Sequence, residues 1–324
     1  MIVCFTNFFI VLRLVTDRMN ILITGGLGQV GYYITQELLK NQIQAEITIY
    51  DNKSNNKINE DCFEHYNNVS FEEGDIRYIE KLYDTDWDII FHTAAQVSVP
   101  FSIEKPVEDM KINIGGTLNL LELAKEKKSK IVLFSSAAAI GEPSILPIPP
   151  NHKLNPKSMY GVSKATTEFY GLNYYHHYNV SVYIARPFNI YSPLIKENDS
   201  YSGVISIFIK NALKNNPLTI FGDGNQTRDF IYAEDVAKIV TKIINYENLK
   251  GKIINIGTGK ETKIIDLAKI IISLTNSSSE IIFTSPRAGD IKRSVADISD
   301  LTMLNLNQFT SIKKGITKII DNFK

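Results

Sequence analysis

A tyrosine and a lysine four residues apart have types and spacing suited to proton transfer. Tyr160 and Lys164 share one face of a predicted helix, because residues i and i+4 are neighbours on a helix surface. A phenol with a pKa of ~10 is a poor base at neutral pH, but a cation ~4 Å away is worth about 4 kcal/mol, or roughly three pKa units. We therefore expect Lys164 alone nearly to suffice to activate Tyr160. Because burial raises a phenol pKa again, a second cation is expected to contribute.

A pair of serines upstream distinguishes this tyrosine from Tyr246, which has Lys250 at the same spacing. Ser135 and Ser136 follow a predicted strand, so they emerge at the carboxyl edge of a sheet, where open α/β sheets bind ligands. Ser136 is the candidate group that hydrogen-bonds a substrate oxygen and shares the proton with Tyr160. The alternative interpretation of Tyr160 and Lys164 is structural: a tyrosine of the core beside a lysine whose aliphatic stem packs on apolar surface.

A glycine-rich turn lies between the first predicted strand and helix, at 24–31. Gly25 permits a tight turn, Gly28 lets backbone N–H groups approach a pyrophosphate, and Gly31 lets helix and strand pack closely. Asp51 ends the second strand twenty residues after Gly31, where a carboxylate can hold the ribose hydroxyls. This combination predicts a dinucleotide site.

Acidic residues after the second and third strands refine this prediction. Asp51 would repel a 2′-phosphate and favours NAD, whereas the nearby Lys53 leaves NADP open. Asp75, in the segment Gly-Asp-Ile-Arg, is the candidate contact to the adenine. The alternative for Asp75 is a solvated loop acid.

Alternating apolar runs and amphipathic stretches supply the elements that position these residues. From Asn20 to about Arg186 they predict βαβ units and a parallel sheet. The predicted strands are Ile21–Thr24, Ile47–Asp51, Val69–Phe71, Ile89–His92, Ile131–Ser135 and Val182–Arg186, and the helices are Gln29–Lys40, Asp109–Lys127 and Ser158–His177. The fold class is α/β, with a doubly wound parallel Rossmann sheet.

The second half predicts a smaller, mixed α/β substrate domain. Its elements are Val204–Leu213, Leu218–Phe221, Glu234–Ile244, Ile253–Ile256, Lys263–Leu274 and Ile281–Thr284. We expect a dinucleotide-binding domain over 19–187 and the second domain over 188–324, from which about 229–256 returns to the first. Residues 1–18 are apolar but interrupted by polar residues, and they are too short to span a bilayer. We interpret them as an over-extended translation start or as an extension that docks on the protein or touches a membrane.

Composition narrows the function classes. The 324 residues carry 35 basic and 35 acidic side chains, so the net charge is 0 and no global basic field favours nucleic acid as a partner. The two cysteines, Cys4 and Cys62, are too few for a disulfide framework, which indicates a reducing cytosol. Because no other metal-ligating residues accompany them in the sequence, we expect no metal site. We expect a cytoplasmic protein of about two domains that is neither disordered nor membrane-bound.

Taken together, the motifs resemble the extended short-chain dehydrogenase/reductases that act on nucleotide sugars. The resemblance covers Met19 to about Ser299. It rests on the glycine turn, the Asp after the second strand, Gly-Asp-Ile-Arg, 92–96 (His-Thr-Ala-Ala-Gln), Asn113, Ser136 with Tyr160 and Lys164, 186–189 (Arg-Pro-Phe-Asn) and 222–230 (Gly-Asp-Gly-Asn-Gln-Thr-Arg-Asp-Phe).

The resemblance implies NAD as cofactor, a UDP-sugar substrate and a homodimer formed through the helices near 109–127 and 158–177. The implied cofactor residues are Gly25, Leu27, Gly28, Gln29, Val30, Gly31, Asp51, Asn52, Asp75, Ile76, Ala94, Ala95, Gln96, Asn113, Ser135, Tyr160, Lys164 and Pro187. The implied substrate residues are Ser136, Tyr160, Asn189, Phe221, Arg228, Arg287, Asp290 and Ser294. Arg228 and Arg287 are candidates for the diphosphate, since arginine offers a bidentate fork to phosphate.

The residues after the catalytic serine separate branches of the family. Dehydratases carry an acidic pair there and decarboxylases a Glu, whereas this chain has Ala137 and Ala138. The resemblance therefore implies 4-epimerisation: Tyr160 takes the 4-hydroxyl proton, C4 is oxidised transiently, and the keto sugar turns and is reduced on its other face. Ile140 replaces a usual Tyr, and Ser192 replaces a usual Gly.

Other activities remain open on this scaffold. They are uronate epimerisation, 4-keto-sugar reduction and dehydration, and a further alternative is a non-enzymatic NAD sensor, which would have no need of the catalytic trio. Ser294 lies seven residues after Arg287, where the family's bulky Tyr excludes an acetamido group. The serine implies that UDP-N-acetylhexosamines are accepted alongside plain UDP-hexoses, unless it is an ordinary loop serine.

Overall fold

The computed structural model describes residues 18–194, 203–287 and 289–323, and its centre is a parallel β-sheet. In chain order the strands are β1 Met19–Thr24, β2 Ala45–Asp51, β3 Val69–Glu73, β4 Ile89–His92, β5 Lys130–Phe134, β6 Ser181–Pro187, β7 Asn189–Tyr191, β8 Leu218–Phe221, β9 Thr227–Arg228, β10 Phe230–Tyr232, β11 Lys252–Ile256, β12 Thr262–Lys263 and β13 Ile281–Thr284. Seven of them form one sheet in the order β11-β6-β5-β4-β1-β2-β3, with every pair parallel. The predicted doubly wound α/β fold is confirmed. Most of the predicted extension over 1–18 lies outside the described residues.

The helices fill the crossovers between strands. They are α1 Gln29–Lys40, α2 Val99–Glu104, α3 Pro106–Met110, α4 Gly116–Lys127, α5 Met159–Tyr178, α6 Val204–Leu213, α7 Ala233–Ile243, α8 Ile264–Thr275, α9 Ser299–Met303 and α10 Ile312–Asp321. The helix predicted over about Asp109–Lys127 is present, but it is not a regular α-helix throughout. That stretch belongs to α3, a π-helical turn at Lys111–Gly115 and α4, and the helix starts earlier because Pro106 suits a first helical turn.

Each face of the sheet is buried under helices, which explains the near-continuous apolar strands. Side chains alternate across a strand, so Ile21 and Ile23 pack with residues of α1 and α7 on one face. Leu22 lies on the other face with residues of α4 and α5. The order of strands reverses between β1 and β4, and such a switch point opens a ligand crevice at the carboxyl edge.

The later elements build a third apolar cluster from α6, α8, α10 and β8. The strand β13 pairs in parallel with β8, and β7 pairs in parallel with β10. By contrast, β11 is an edge strand of the main sheet, and α7 contributes to the cluster beneath it. The division at 187/188, with about 229–256 assigned to the first domain, stays a proposal.

Candidate functional site

The turn between β1 and α1 forms a backbone cradle at the crevice. Gly25 has a φ of +70°, a conformation that favours glycine. A Cβ at Gly31 would lie 2.5 Å from the carbonyl oxygen of Gly25 and 2.6 Å from the Cα of Gly26, so a side chain there would push α1 away from the turn. The cradle leaves the amino end of α1 open, as phosphate binding by a dinucleotide requires.

The carboxylate of Asp51 is buried against this turn. Its two oxygens accept hydrogen bonds from the backbone N–H groups of Leu27 at 3.1 Å and Lys53 at 2.8 Å. Burial raises the pKa of Asp51, and these hydrogen bonds oppose that effect. The Lys53 ammonium pairs with Glu60 at 2.5 Å and Glu73 at 3.2 Å. Because two carboxylates hold Lys53, it does not offset the repulsion of a 2′-phosphate by Asp51, and the site fits NAD.

A cavity of about 460 Å³ opens beside the turn, and we call it the cofactor cavity. It brings together eleven of the predicted cofactor residues: Gly25, Gly28, Gln29, Val30, Asp51, Asn52, Asp75, Ile76, Ala94, Ala95 and Gln96. Leu27 and Gly31 are buried within the turn, and Pro187 ends β6. Asn113 lies next to the cavity, because its amide exchanges two hydrogen bonds of 2.9 Å with the backbone of Gln96.

Asp75 is held as an anion at the rim of this cavity. Arg77 donates to both carboxylate oxygens, at 3.0 and 2.7 Å, and Asn52 donates at 3.0 Å. The hydrogen bonds from Arg77 are the main reason that the pKa of Asp75 falls to about 2. Two predicted cofactor residues, Asp75 and Asn52, are thus fixed against each other.

Helix α5 and the end of β5 bring the three predicted catalytic residues together. The Ser136 hydroxyl hydrogen-bonds the Tyr160 phenol and accepts the backbone N–H of Ala138 at 3.2 Å. Lys164 Nζ donates to the carbonyl oxygen of Phe134 at 2.8 Å and lies 5.9 Å from the centre of the Tyr160 ring. The arrangement is suited to moving one proton between a substrate hydroxyl and the phenol.

Burial shifts the pKa values of both Tyr160 and Lys164. Burial raises the pKa of Tyr160 to about 12, although the hydrogen bond from Ser136 lowers it. Burial also lowers the pKa of Lys164 to about 8, against the negative charge of Asp109. Desolvation is the largest influence on the pKa of the phenol, as the expected need for a second cation assumes, and the activation of Tyr160 by Lys164 stays a prediction.

A buried carboxylate that the sequence analysis missed lies behind the cluster. Asp109, 1% exposed, accepts hydrogen bonds from Ser163 at 2.5 Å, Gln96 at 2.7 Å and Asn113 at 3.0 Å. It therefore connects α5, the loop after β4 and the π-helical turn. The only sequence signal was an acid four residues before Asn113, which is weak by itself.

A second missed group is the ion pair beneath α5. Arg186 and Glu168 are 0% and 1% exposed, and two hydrogen bonds of 2.7 Å join them. Ser135 donates to the same carboxylate at 2.5 Å, so the pair joins β6 and the end of β5 to the catalytic helix. The four-residue spacing of Tyr160, Lys164 and Glu168 could have indicated it.

Asn189 lines a second, smaller cavity of about 140 Å³. Both cavities share five residues as a common boundary: Gln29, Asn55, Lys57, Val97 and Ile190. The predicted substrate residue Asn189 therefore lies close to the predicted cofactor residue Gln29.

The other predicted substrate residues contact one another in pairs. The Arg287 guanidinium lies 3.8 Å above the centre of the Phe221 ring. Arg228 pairs with Asp290 and donates to the carbonyl oxygens of Thr227 at 2.8 Å and Ile291 at 2.7 Å. Neither pair lines the two cavities described above, and Ala288 of the Arg-x-Gly-Asp motif lies outside the described residues.

Ser294 is buried, with 7% of its surface exposed, and lines neither cavity. It precedes Val295, whose carbonyl oxygen accepts the N–H of Ile148 at 2.8 Å.

Two features are absent from the described ranges 18–194, 203–287 and 289–323. No group of three or more His, Cys, Asp or Glu side chains there is placed to hold a metal ion. No described helix is both long and apolar enough to cross a membrane.

The glycine cradle, Asp51 and the Ser136, Tyr160 and Lys164 cluster on a parallel sheet define a NAD-binding enzyme of the short-chain dehydrogenase/reductase class. A model of the NAD dependent epimerase/dehydratase family matches residues 21–257. The chain belongs to this family, whose members act on nucleotide sugars.

Similarity to known proteins extends beyond the family model. A protein of Methanocaldococcus jannaschii, provisionally named UDP-glucose 4-epimerase, is 39% identical over 307 residues, with 94% of this chain and 98% of the relative covered. UDP-glucuronic acid decarboxylase 1 of Xenopus tropicalis is 31% identical over 95% of this chain and 73% of its own length. UDP-N-acetylglucosamine 4-epimerase from Methanobrevibacter ruminantium M1, solved in complex with UDP-N-acetylmuramic acid, has a TM-score of 0.85 and 30% identity, covering 95% of this chain and 98% of that one.

Proposed function

We propose that this protein interconverts UDP-hexoses at C4 by transient oxidation. The observation that carries the proposal is the turn after Ser136. Ala137–Ala139 form a 3-10 helix there, and Ala137 and Ala138 are partly exposed beside the catalytic cluster. This turn presents methyl groups at the positions where an acidic side chain would assist elimination or decarboxylation. Because Ala137 and Ala138 carry no such acid, the keto sugar is reduced again instead of reacting further.

Each catalytic side chain has a separate task in this reaction. The Tyr160 phenolate accepts the proton of the 4-hydroxyl, and Ser136 holds the same oxygen. NAD, when bound, supplies the hydride acceptor and the second positive charge that the raised pKa of the phenol calls for. Lys164 is anchored on the carbonyl oxygen of Phe134, so its charge stays near the phenol throughout the cycle. The cofactor is held by the glycine cradle, Asp51 and Asp75.

Product analysis tests the proposal directly. The purified protein is incubated with UDP-glucose, UDP-N-acetylglucosamine and their galacto epimers, and the nucleotide sugars are separated. We expect each active substrate to yield its C4 epimer, approached from both sides, with no net change in NADH.

The rival activities give different products in the same assay. UDP-glucuronic acid is supplied in parallel. A decarboxylase would convert it to a UDP-pentose with loss of carbon dioxide, and a uronate epimerase would convert it to its 4-epimer. A 4,6-dehydratase would instead accumulate a stable keto sugar, and a reductase would consume added reduced cofactor. Any of these as the sole product overturns the proposal, and so does the absence of any conversion by NAD-loaded protein.

Substrate breadth gives a further prediction at Ser294. We expect Ser294→Tyr to lower kcat/KM selectively for the acetylated substrates, because overpacking costs about 1–3 kcal/mol, or roughly 5- to 150-fold. The relative from Methanobrevibacter ruminantium M1, solved with UDP-N-acetylmuramic acid, supports room for an acetamido group in this scaffold. Since Ser294 is buried, activity on UDP-glucose in the same preparation serves as the folding control. An equal loss on both substrate classes rejects this role.

Dimerisation is predicted through the helices near 109–127 and 158–177, which correspond to the end of α3, the π-helical turn, α4 and α5. Their exposed large apolar side chains are Met110, Met159, Val162, Phe169, Tyr170 and Tyr178. We expect light scattering at micromolar concentration to give twice the chain mass of 36.6 kDa. Phe169→Glu should shift the protein towards the monomer, since Phe169 is 57% exposed, whereas Met303→Glu, at a site 72% exposed on α9, should not. A monomeric parent protein contradicts this prediction.

A further inference from the structure

Two residues, Ile140 and Ser192, depart from the family pattern, and their surroundings in the structure differ. Ile140 is fully buried in an apolar cluster with Ile148 and Phe188, so it replaces one packed side chain by another. Ser192 is 3% exposed, and its side chain is hydrogen-bonded. Its hydroxyl oxygen accepts from Gln29 Nε2 at 2.9 Å and from the backbone N–H of Leu194 at 3.2 Å.

The bond between Gln29 and Ser192 joins two distant parts of the chain. Gln29 is the first residue of α1 and directly follows the glycine cradle. Ser192 follows β7, which carries Asn189, and lies 163 residues away along the chain. A glycine at 192 would offer no side chain to Gln29.

The same bond lies on the boundary between the two cavities. Gln29 lines both of them, and Ser192 lines the smaller one. The cradle, Asp51 and Ile190 of β7 all line the cofactor cavity. The bond therefore joins the cradle to the segment that follows β7, and both of these parts contribute to the cavity.

We propose that Ser192 is a positioning residue which, through Gln29, slows the release of NAD. The inference rests on NAD binding by the family and holds whichever sugar is the substrate. Retention matters in a reaction without net oxidation, because loss of the reduced cofactor would strand an oxidised sugar. Removing one such hydrogen bond is expected to speed release about three- to tenfold.

Exchange of bound NAD measures this effect without relying on turnover. The NAD-loaded protein is mixed with excess isotopically labelled NAD, desalted at intervals, and the retained nucleotide is weighed by mass spectrometry. We expect Ser192→Ala and Gln29→Leu each to speed exchange about three- to tenfold. The double variant should exchange no faster than the faster single variant, because both changes remove one shared bond.

Tyr33→Phe is the matched control. The Tyr33 hydroxyl is close enough to Ser192 and Tyr232 for both side chains to influence its pKa, so its removal alters the same region and leaves the bond between Ser192 and Gln29 in place. Exchange at the parent rate in this variant, together with faster exchange in Ser192→Ala, supports the proposal. Exchange at the parent rate in both Ser192→Ala and Ser192→Gly would overturn the proposal. Additive effects in the double variant, or equal acceleration by Tyr33→Phe, would also overturn it. So would a parent protein that binds no NAD. Failure of epimerisation leaves these exchange rates measurable, so the two proposals fail separately.

Discussion

Replacement of Tyr160 by phenylalanine is expected to lower kcat about 10²- to 10⁴-fold while NAD remains bound. The phenol is the side chain that Ser136 hydrogen-bonds and the one placed to take the substrate proton. Because Tyr160→Phe keeps the ring, the placement of Lys164 Nζ 5.9 Å from the ring centre is retained. The measurement is the rate of C4 epimerisation at saturating substrate, with NAD content determined in the denatured supernatant.

The chain supplies a control with the same local sequence spacing. Tyr246 also has a lysine four residues later, Lys250, which pairs with Glu247 at 2.5 Å outside the catalytic cluster. Tyr246→Phe should leave kcat within about twofold of the parent value, an effect below ~0.5 kcal/mol. A Tyr160→Phe enzyme with unchanged kcat would mean that another group serves as the base.

The second large effect is expected from the ion pair beneath α5. Arg186→Met should lower the free energy of unfolding by about 3–5 kcal/mol, because it leaves the Glu168 carboxylate buried and uncompensated. Glu168 would retain Ser135 as a partner but lose both bonds of 2.7 Å to the guanidinium. Urea unfolding of NAD-loaded parent and variant protein measures the difference.

Two further variants separate burial from charge in this comparison. Arg293 pairs with Glu261 at the surface, where it is 57% exposed, so Arg293→Met should cost less than about 1 kcal/mol. The double variant Glu168→Leu with Arg186→Met should be more stable than Arg186→Met alone, since it removes the unpaired charge. A single variant as stable as the parent would show that water reaches Glu168.

Local signals in the sequence were sufficient for the cofactor side of the site. The glycine turn predicts its own geometry because Gly25 has a positive φ and Gly31 is required by close backbone contacts with Gly25 and Gly26. Asp51 could be placed because it ends a strand, and the ends of parallel strands meet at one edge. The regular helices α1 and α6 were predicted for a similar reason, since their periodicity is carried by neighbouring residues.

Groups that depend on tertiary contact were not predictable in this way. The partners of Asp109 come from three segments, and Arg186 meets Glu168 across 18 residues of chain. The direction in which burial shifts the pKa of Tyr160 could be predicted, but its size could not, because the cost of burial depends on surroundings that the sequence does not display. The π-helical turn was missed because one extra residue in a helix scarcely disturbs an apolar pattern.

That turn at Lys111–Gly115 has a consequence for insertions and deletions. Successive residues of an α-helix point ~100° apart, so one surplus residue rotates everything before it relative to everything after it. Asp109 consequently faces the catalytic helix while Leu120 and Ala124 face the sheet. Deleting a single residue here would leave a longer regular helix with intact hydrophobicity, yet it would turn the polar network away from the reaction centre. The number of residues in this helix therefore matters as well as their types, because it sets the direction in which Asp109 points.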